Sequence, residues 1–182
     1  GEIAEKLGAI VINHPKNLGY GAGIRSIFLK SKELDADILV TFDADGQHQA
    51  KDIEKLILML KEKEVDIALG SRFLEDKSNI PKSRRIILKG GVLILRLMYG
   101  LKLTDAHNGL RAFTRKAATK INITQDRMEH ASEIIEEISK HKLSYKEVPV
   151  TIKYSNYSLE KGQKTSNSIK ILIKMIMKKI MD

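Results

Sequence analysis

The chain has 182 residues, of which 42% are hydrophobic and 30% are charged, a composition typical of a globular protein with one sizeable core. Its 32 Lys and Arg against 23 Asp and Glu give a formal net charge of +9, which favours an anionic partner such as a phosphate-bearing substrate, a nucleic acid or an acidic membrane surface. The absence of cysteine excludes disulfides and Cys-ligated zinc, and the apolar runs are too short to cross a bilayer.

The first half of the chain alternates predicted strands with predicted helices. The predicted strands are 9–12, 38–42 and 66–69, and the helices between them run from a glycine-rich turn at 17–23 to about Leu34 and from 51 to 61. Strands that alternate with helices in this way predict a parallel α/β sheet with right-handed crossovers.

The second half begins with a basic segment, 82–85, that leads into an apolar stretch. Three glycines interrupt residues 86–103, which predicts two short helices or one broken helix. A strand at 110–114, a helix at 129–140 and an extended segment at 145–154 follow.

The pattern predicts two units in the chain. A single α/β domain is expected over 1–165, and a basic amphipathic helix over 166–182. The apolar stripe of that helix would either lie in an anionic membrane interface or pack on the domain.

Two carboxylates stand where the predicted strand 38–42 ends. Ligands gather at the carboxyl ends of buried strands in parallel sheets, and Asp43 and Asp45, two residues apart, would leave extended backbone on the same side. Their hard oxygens suit a divalent cation that also grips a diphosphate, and Gln47 continues the same register as a neutral oxygen ligand. An ordinary loop is the alternative, since Asp, Gly and Gln are common turn residues.

Five short motifs follow one another along the chain: 17–21, 43–48, 70–73, 105–113 and 147–150. In this order they resemble the family-2 glycosyltransferases of the GT-A fold, the type exemplified by dolichyl-phosphate mannose synthase and bacterial polyprenyl-phosphate glycosyltransferases. The resemblance implies a Rossmann-like GT-A fold with a mostly parallel central sheet. It also implies a metal-dependent, inverting enzyme that moves a sugar from a nucleotide-diphosphate sugar to a polyprenyl or dolichyl phosphate or to a glycan.

The same resemblance implies roles for individual residues. Asp43, Asp45 and Gln47 would hold Mg²⁺ or Mn²⁺ against the donor diphosphate, with Asp45 also acting in catalysis. Arg72 would face the phosphates or the acceptor, and stabilise charge on the leaving nucleotide together with the metal. Asp105 would approach the sugar and the acceptor.

The remaining candidates belong to the acceptor side of the site. The residues expected to contact the acceptor or its phosphate are Arg84, Arg85, Asn108, Arg111 and Lys161. Glu133 would be the base for a hydroxyl acceptor, although a plain charged helix face explains its position as well. Because a phosphate acceptor is already ionised, a dispensable Glu133 would favour a lipid phosphate.

The resemblance starts after the first strand, helix and strand of the family, so an N-terminally truncated domain that binds nucleotide-sugar weakly is expected. A truncated, non-catalytic GT-A remnant or interaction module is the alternative. Nucleic-acid binding is not expected, because the sequence carries none of its usual signatures. The expected location is the cytoplasm, including the cytoplasmic face of a membrane.

Overall fold

The computed structural model describes residues 1–75 and 80–154, and the sheet at its centre has four strands. These are β1 (Ile38–Thr41), β2 (Ile67–Ser71), β3 (Arg111–Thr114) and β4 (Tyr145–Pro149), in the spatial order β1-β3-β2-β4. All four predicted strand regions that bear or precede the motifs 43–48, 70–73, 105–113 and 147–150 are therefore present in one sheet.

The sheet is mixed in direction. Strand β3 is antiparallel to both β1 and β2, whereas β2 and β4 are parallel. Three strands thus point the same way, as the predicted mostly parallel sheet requires, and β3 is inserted between β1 and β2 in the reverse direction. Because β3 is reversed, its first residue, Arg111, lies opposite Thr41 at the end of β1.

Six helices are described, and all but the first pack on the faces of the sheet. They are α1 (Glu2–Lys6), α2 (Tyr20–Glu33), α3 (Lys51–Lys63), α4 (Lys82–Tyr99), α5 (Arg115–Lys120) and α6 (His130–Lys140). The short α5 was not predicted; its N-terminal cap is Thr114, whose side chain accepts a hydrogen bond from the Ala117 N–H.

Alternation along the strands divides the core into two parts. Ile67, Leu69 and Phe113 face one cluster, which they share with apolar residues of α2, α4, α5 and α6. Ala68 and Ala112 face the other cluster, with Leu56 and Leu60 of α3 and the segment after β4. Period-two alternation in β2 and β3 therefore places helices above and below the sheet.

Two predicted elements are corrected by the structure. Residues 9–12 form no strand, and Ile10 and Ile12 are 64% and 45% exposed, because no described strand runs beside them to supply a hydrogen-bonding partner. The stretch after residue 82 is one continuous helix, α4, with Gly90 and Gly91 inside it. Packing of the α4 side chains against the core offsets the low helix propensity of two glycines.

The predicted C-terminal helix at 166–182 and the end of the predicted domain at 165 lie outside the described residues. Among the helices in the described parts of the chain, none combines the length and the hydrophobicity needed to span a lipid bilayer.

Candidate active site

One large cavity opens at the edge of the sheet where β1 and β2 end and β3 begins. Its volume is about 1120 Å³, and its wall combines the acidic loop after β1 with Arg72, Arg111 and one side of α4. The reversed direction of β3 brings these segments together, since the loop before β3 then reaches the same edge as the loops after β1 and β2. The predicted site residues in the wall are Asp43, Asp45, Gln47, Arg72, Arg84 and Arg111.

Asp43 is held by two neighbours that also line the cavity. The Tyr20 hydroxyl donates a hydrogen bond to Asp43 Oδ1, and His48 Nε2 lies 3.4 Å from Asp43 Oδ2. Burial alone would raise the pKa of Asp43, but the hydrogen bonds from His48 and Tyr20 lower that pKa below its ordinary value. Asp43 is therefore ionised at neutral pH and faces the cavity as a carboxylate.

The loop after Asp43 folds around Asp45. Gln47 donates its backbone N–H to Asp45 Oδ1 at 3.0 Å and its side-chain amide to Asp45 Oδ2 at 2.7 Å. The segment is a turn, so Gln47 does not continue an extended register from Asp43 as predicted. Gln47 reaches the cavity wall through this turn, with its amide nitrogen committed to Asp45.

The donor set of this loop fits a divalent cation in part. Asp43 and Asp45 offer carboxylate oxygens to one cavity, which are the ligands that Mg²⁺ and Mn²⁺ prefer. In residues 1–75 and 80–154 no group of three or more His, Cys, Asp or Glu side chains is arranged to hold a metal ion. Diphosphate oxygens and water would have to complete the coordination shell.

Arg72 follows β2 and is buried with Asp105. Asp105 Oδ2 accepts hydrogen bonds from Arg72 Nε at 2.5 Å and from the Arg72 backbone N–H at 3.2 Å, and the Tyr154 hydroxyl accepts one from Arg72 Nη1 at 2.7 Å. Asp105 is only 2% exposed and is not part of the cavity wall. In this structure Asp105 contacts Arg72 and not the cavity, and its predicted approach to sugar and acceptor stays a prediction.

Arg111 and Asn108 occupy the turn that enters β3. The Arg111 guanidinium donates to the carbonyls of Asn108 and Ala106, both at 2.9 Å, and burial lowers the pKa of Arg111 to about 10, so that it keeps its charge. Asn108 is buried outside the cavity wall, and its Oδ1 accepts from the Leu110 N–H at 3.0 Å. Arg111 thus lines the cavity, whereas Asn108 shapes the turn and lies outside the cavity wall, and their predicted contacts with the acceptor stay predictions.

Glu133 does not face the cavity. Its carboxylate accepts hydrogen bonds from the N–H groups of Thr124 and Gln125 and from the Thr124 hydroxyl at 2.5 Å. Neighbouring residues of α6, among them His130 and Ile134, line the cavity instead. Both carboxylate oxygens of Glu133 bind the loop before α6, and its predicted role as a base stays a prediction.

Arg84 and Arg85, the two adjacent arginines at the start of α4, point in different directions from the helix. Arg84 lines the cavity, and its guanidinium carbon is 5.2 Å from the centroid of the Tyr154 ring. Arg85, the next residue, is half-buried and lies outside the wall of the cavity. Adjacent helical residues point about 100° apart, so only one of the pair reaches the site. Lys161 lies outside the described residues.

Sequence reasoning missed Tyr20 and His130, whose rings lie 5.1 Å apart in the cavity wall. Burial and the hydrogen bond to Asp43 raise the pKa of Tyr20, so its hydroxyl stays protonated and donates. Burial lowers the pKa of His130 to about 4, and that of His107 also to about 4, so both are neutral at pH 7. The glycine-rich turn at 17–23 marks the position of Tyr20 at the start of α2, but no feature of the sequence predicts that Tyr20 contacts α6.

Comparison with known proteins agrees with this geometry. The family model described as glycosyl transferase family 2 matches residues 1–121. An uncharacterized protein of Methanocaldococcus jannaschii is 40% identical over 183 residues, which cover 98% of this chain and 75% of that protein. A UDP-N-acetylglucosamine–dolichyl-phosphate N-acetylglucosaminyltransferase of Methanococcus voltae is 35% identical over 175 residues, 94% of this chain and 70% of the relative.

More distant relatives include an undecaprenyl-phosphate mannosyltransferase of Micrococcus luteus, 32% identical over 122 residues, which cover 66% of this chain and 49% of that enzyme. Among solved structures, glucosyl-3-phosphoglycerate synthase of Mycobacterium tuberculosis in complex with UDP has a TM-score of 0.66 at 15% identity. Its complex with Mn²⁺, UDP-glucose and phosphoglyceric acid has a TM-score of 0.60 at 13% identity. These structures share the fold, and the chain spans 63% and 58% of their lengths. The matched segment, the relatives and the GT-A fold agree with the resemblance seen in the motifs, and the chain belongs to glycosyl transferase family 2.

Proposed function

We propose that this chain is the catalytic part of a metal-dependent hexosyltransferase that moves a sugar from a nucleotide-diphosphate sugar to a polyprenyl or dolichyl phosphate. The main support for the proposal is that carboxylates and guanidinium groups line the same cavity. Asp43 and Asp45 come from the loop after β1, Arg72 follows β2, and Arg84 belongs to α4. The same cavity therefore offers carboxylates that would bind a cation with the donor and guanidinium groups that would bind an anionic acceptor.

Asp43 and Asp45 are the residues that would hold Mg²⁺ or Mn²⁺ with the donor diphosphate. The cation would supply positive charge to the leaving nucleoside diphosphate, where negative charge develops as the sugar departs. The contacts from Tyr20 and His48 fix the Asp43 carboxylate, so its orientation does not have to be established when the donor binds.

The transfer itself is proposed as a single displacement with inversion. A phosphate oxygen of the acceptor forms a bond to the anomeric carbon while the bond from that carbon to the donor diphosphate breaks. An ionised phosphate needs no general base, and the engagement of Glu133 with the Thr124 and Gln125 backbone leaves that side chain unavailable as one. A glycan hydroxyl acceptor, which would need a base, is therefore disfavoured.

Helix α4 supports a lipid-bound acceptor. Ile86, Leu93 and Leu97 are 73%, 58% and 78% exposed and recur at helical spacing on one side, and α4 contains no acidic residue. Arg84 of the same helix lines the cavity. We therefore propose that the protein contacts an anionic membrane surface through α4, which would bring a lipid phosphate beside Arg84. The lipid-phosphate names of the M. voltae and M. luteus relatives support this acceptor.

The proposal is tested by a transfer assay with labelled UDP- and GDP-sugars, a short polyprenyl phosphate, and added or chelated Mg²⁺ and Mn²⁺. Asp45→Asn is expected to lower metal-dependent transfer by about 10²-fold or more, because it weakens the charge that holds the cation. Asp37→Asn is the matched control, since Asp37 is a surface residue whose partner is Arg115. Full metal-dependent activity in Asp45→Asn would contradict the proposal. Failure of every donor to react would favour a non-catalytic module.

A further inference from the structure

Arg72 and Arg84 come from different elements, and one buried side chain contacts both of them. Tyr154, only 8% exposed, packs beneath the cavity among apolar residues of the second core cluster, such as Ile80 and Ile152. Its hydroxyl accepts a hydrogen bond from Arg72 Nη1 at 2.7 Å, and its ring lies 5.2 Å from the Arg84 guanidinium carbon. Tyr154 is not itself in the cavity wall.

Arg72 is fixed from two sides. Asp105 accepts hydrogen bonds from Arg72 Nε and from the Arg72 backbone N–H, while the Tyr154 hydroxyl accepts one from Arg72 Nη1. Glu147 of β4 in turn accepts the Asp105 N–H at 3.0 Å, so the carboxylate that grips Arg72 is itself anchored to the sheet. In the part of the chain that the structure describes, no acceptor contacts Arg72 Nη2. This arrangement leaves one edge of a rigid guanidinium for a ligand in the cavity.

Arg84 has a different constraint from the same tyrosine. A guanidinium that lies over an aromatic face is attracted by the ring. The attraction does not use up its N–H groups, which remain available to an anion. The tyrosine therefore uses its hydroxyl for one arginine and its ring for the other. Because both side chains are ordered before a ligand arrives, less conformational entropy is lost on binding.

We propose that Tyr154 is a positioning residue that holds Arg72 and Arg84 as a two-arginine clamp for the phosphate monoester of the acceptor. The inference rests on the proposed function, since it assigns the clamp to the acceptor and not to the donor. Two guanidinium groups match the two negative charges of a phosphate monoester, and their planar N–H edges suit its oxygens. Tyr154 acts through the arginines and touches no substrate.

The test uses the full chain and two substitutions with different chemistry. Tyr154→Phe keeps the ring under Arg84 and removes the hydroxyl that accepts the hydrogen bond from Arg72, whereas Tyr154→Leu removes both contacts. Tyr145→Phe is the matched control, because the Tyr145 hydroxyl accepts the Lys102 N–H at 2.9 Å and lies outside the cavity wall. Circular dichroism and urea unfolding check that each variant is folded.

The measured quantities are the dissociation constant for farnesyl phosphate by calorimetry and the KM values for donor and acceptor. Tyr154→Phe is expected to weaken farnesyl phosphate binding and raise the acceptor KM by about 5- to 10-fold. This is less than the usual effect of losing a direct hydrogen bond to a charged group, because Arg72 keeps its bonds to Asp105. Tyr154→Leu is expected to weaken both further, with the donor KM unchanged in each variant. A purely structural role would move both KM values together or neither.

Outcomes separate the inference from the function on which it rests. If Arg72→Gln weakens farnesyl phosphate binding but Tyr154→Phe matches the unmodified chain, the clamp stands and the role of Tyr154 is wrong. If the unmodified chain binds no farnesyl phosphate, or Arg72→Gln binds it equally well, the acceptor assignment fails and the role of Tyr154 fails with it. A parallel titration with 3-phosphoglycerate distinguishes a lipid phosphate from a soluble phosphate ester: loss of affinity in Tyr154→Phe for farnesyl phosphate alone supports the lipid.

Discussion

Asp105 and Glu133 illustrate how an acidic residue near a cavity can serve the scaffold. Asp105 binds Arg72 through Nε and the backbone N–H, and Glu133 binds the backbone of residues 124–125. A carboxylate whose oxygens accept several internal hydrogen bonds keeps its neighbours in place, and its loss leaves buried donors without partners. Sequence position alone could not separate these residues from Asp43, because all three follow or precede polar turns.

The engagement of Glu133 predicts a separation of stability from turnover. Glu133→Gln replaces one acceptor oxygen with a donor nitrogen, so the free energy of unfolding should fall by about 1 to 3 kcal/mol while kcat per folded molecule stays unchanged. Urea denaturation and the transfer assay measure the two quantities. Glu54→Gln on the exposed side of α3 is the control and should change the unfolding free energy by less than about 0.5 kcal/mol. Loss of turnover in folded Glu133→Gln would support a role of Glu133 as a base.

At the scale of the element, α4 offers two adjacent glycines with opposite surroundings. A Cβ added at Gly90 would meet nothing within 4 Å, whereas one added at Gly91 would stand 3.0 Å from His107 Cε1. Gly90→Ala is therefore expected to raise the unfolding free energy by about 0.5 to 1 kcal/mol through helix propensity. Gly91→Ala should lower it by about 1 to 3 kcal/mol, because the His107 ring must shift. Equal effects of the two substitutions in urea denaturation would contradict this account of the helix.

The exposed apolar side of α4 leads to a second prediction at this scale, which concerns membrane binding. The double substitution Leu93→Gln and Leu97→Gln should weaken binding to phosphatidylglycerol vesicles by about 10-fold or more, since each exposed Leu loses part of the 1.5 to 3 kcal/mol that burial would bring. The control pair is Leu29→Gln and Leu34→Gln, which are 59% and 56% exposed and belong to α2 and its end. Vesicle sedimentation measures both. Comparable losses in the two pairs would show that α4 is not the contact surface.

Hydrophobic periodicity predicted the elements that pack their own apolar side against the sheet. Strand β1 and helices α2, α3 and α6 lie within a few residues of their predicted positions, since each has a clear stripe or buried run. The prediction of a strand at 9–12 was wrong, because a strand needs a neighbouring strand as hydrogen-bonding partner, and a local pattern does not show whether one is present. The six-residue α5 was missed because so short a helix shows less than two turns of periodicity.

At the scale of the whole molecule, the site depends on the reversal of β3. The ends of β1 and β2 supply Asp43 and Arg72, and the reversed strand places Arg111 between them. The sequence predicted the acidic loop and the arginines, because strand ends are where ligands bind in α/β sheets. It could not predict the contacts of Tyr20 with Asp43 and of His130 with Tyr20, because these join segments more than 20 residues apart.

One part of the pH dependence of folding stability follows from the burial of His130, which lowers its pKa from 6.5 to about 4. Between these values the unfolded chain binds a proton that the folded chain does not, so the free energy of unfolding falls as the pH decreases from about 6.5 to about 4. The slope from this one group is about 1.4 kcal/mol per pH unit, and the total is on the order of 3 kcal/mol. His107, whose pKa burial also lowers to about 4, contributes in the same direction.

Urea denaturation at pH values from 7 to 4.5 measures this slope, and His130→Gln isolates the share of one residue. The variant should lose less stability on acidification than the unmodified chain, by about 1.4 kcal/mol per pH unit within the window. His141→Gln is the control, because His141 is a partly exposed residue beside Glu137 that is not part of the cavity wall. If His130→Gln and the unmodified chain lose stability in parallel, His130 is not buried in neutral form, and the close packing of α6 against Tyr20 would have to be revised.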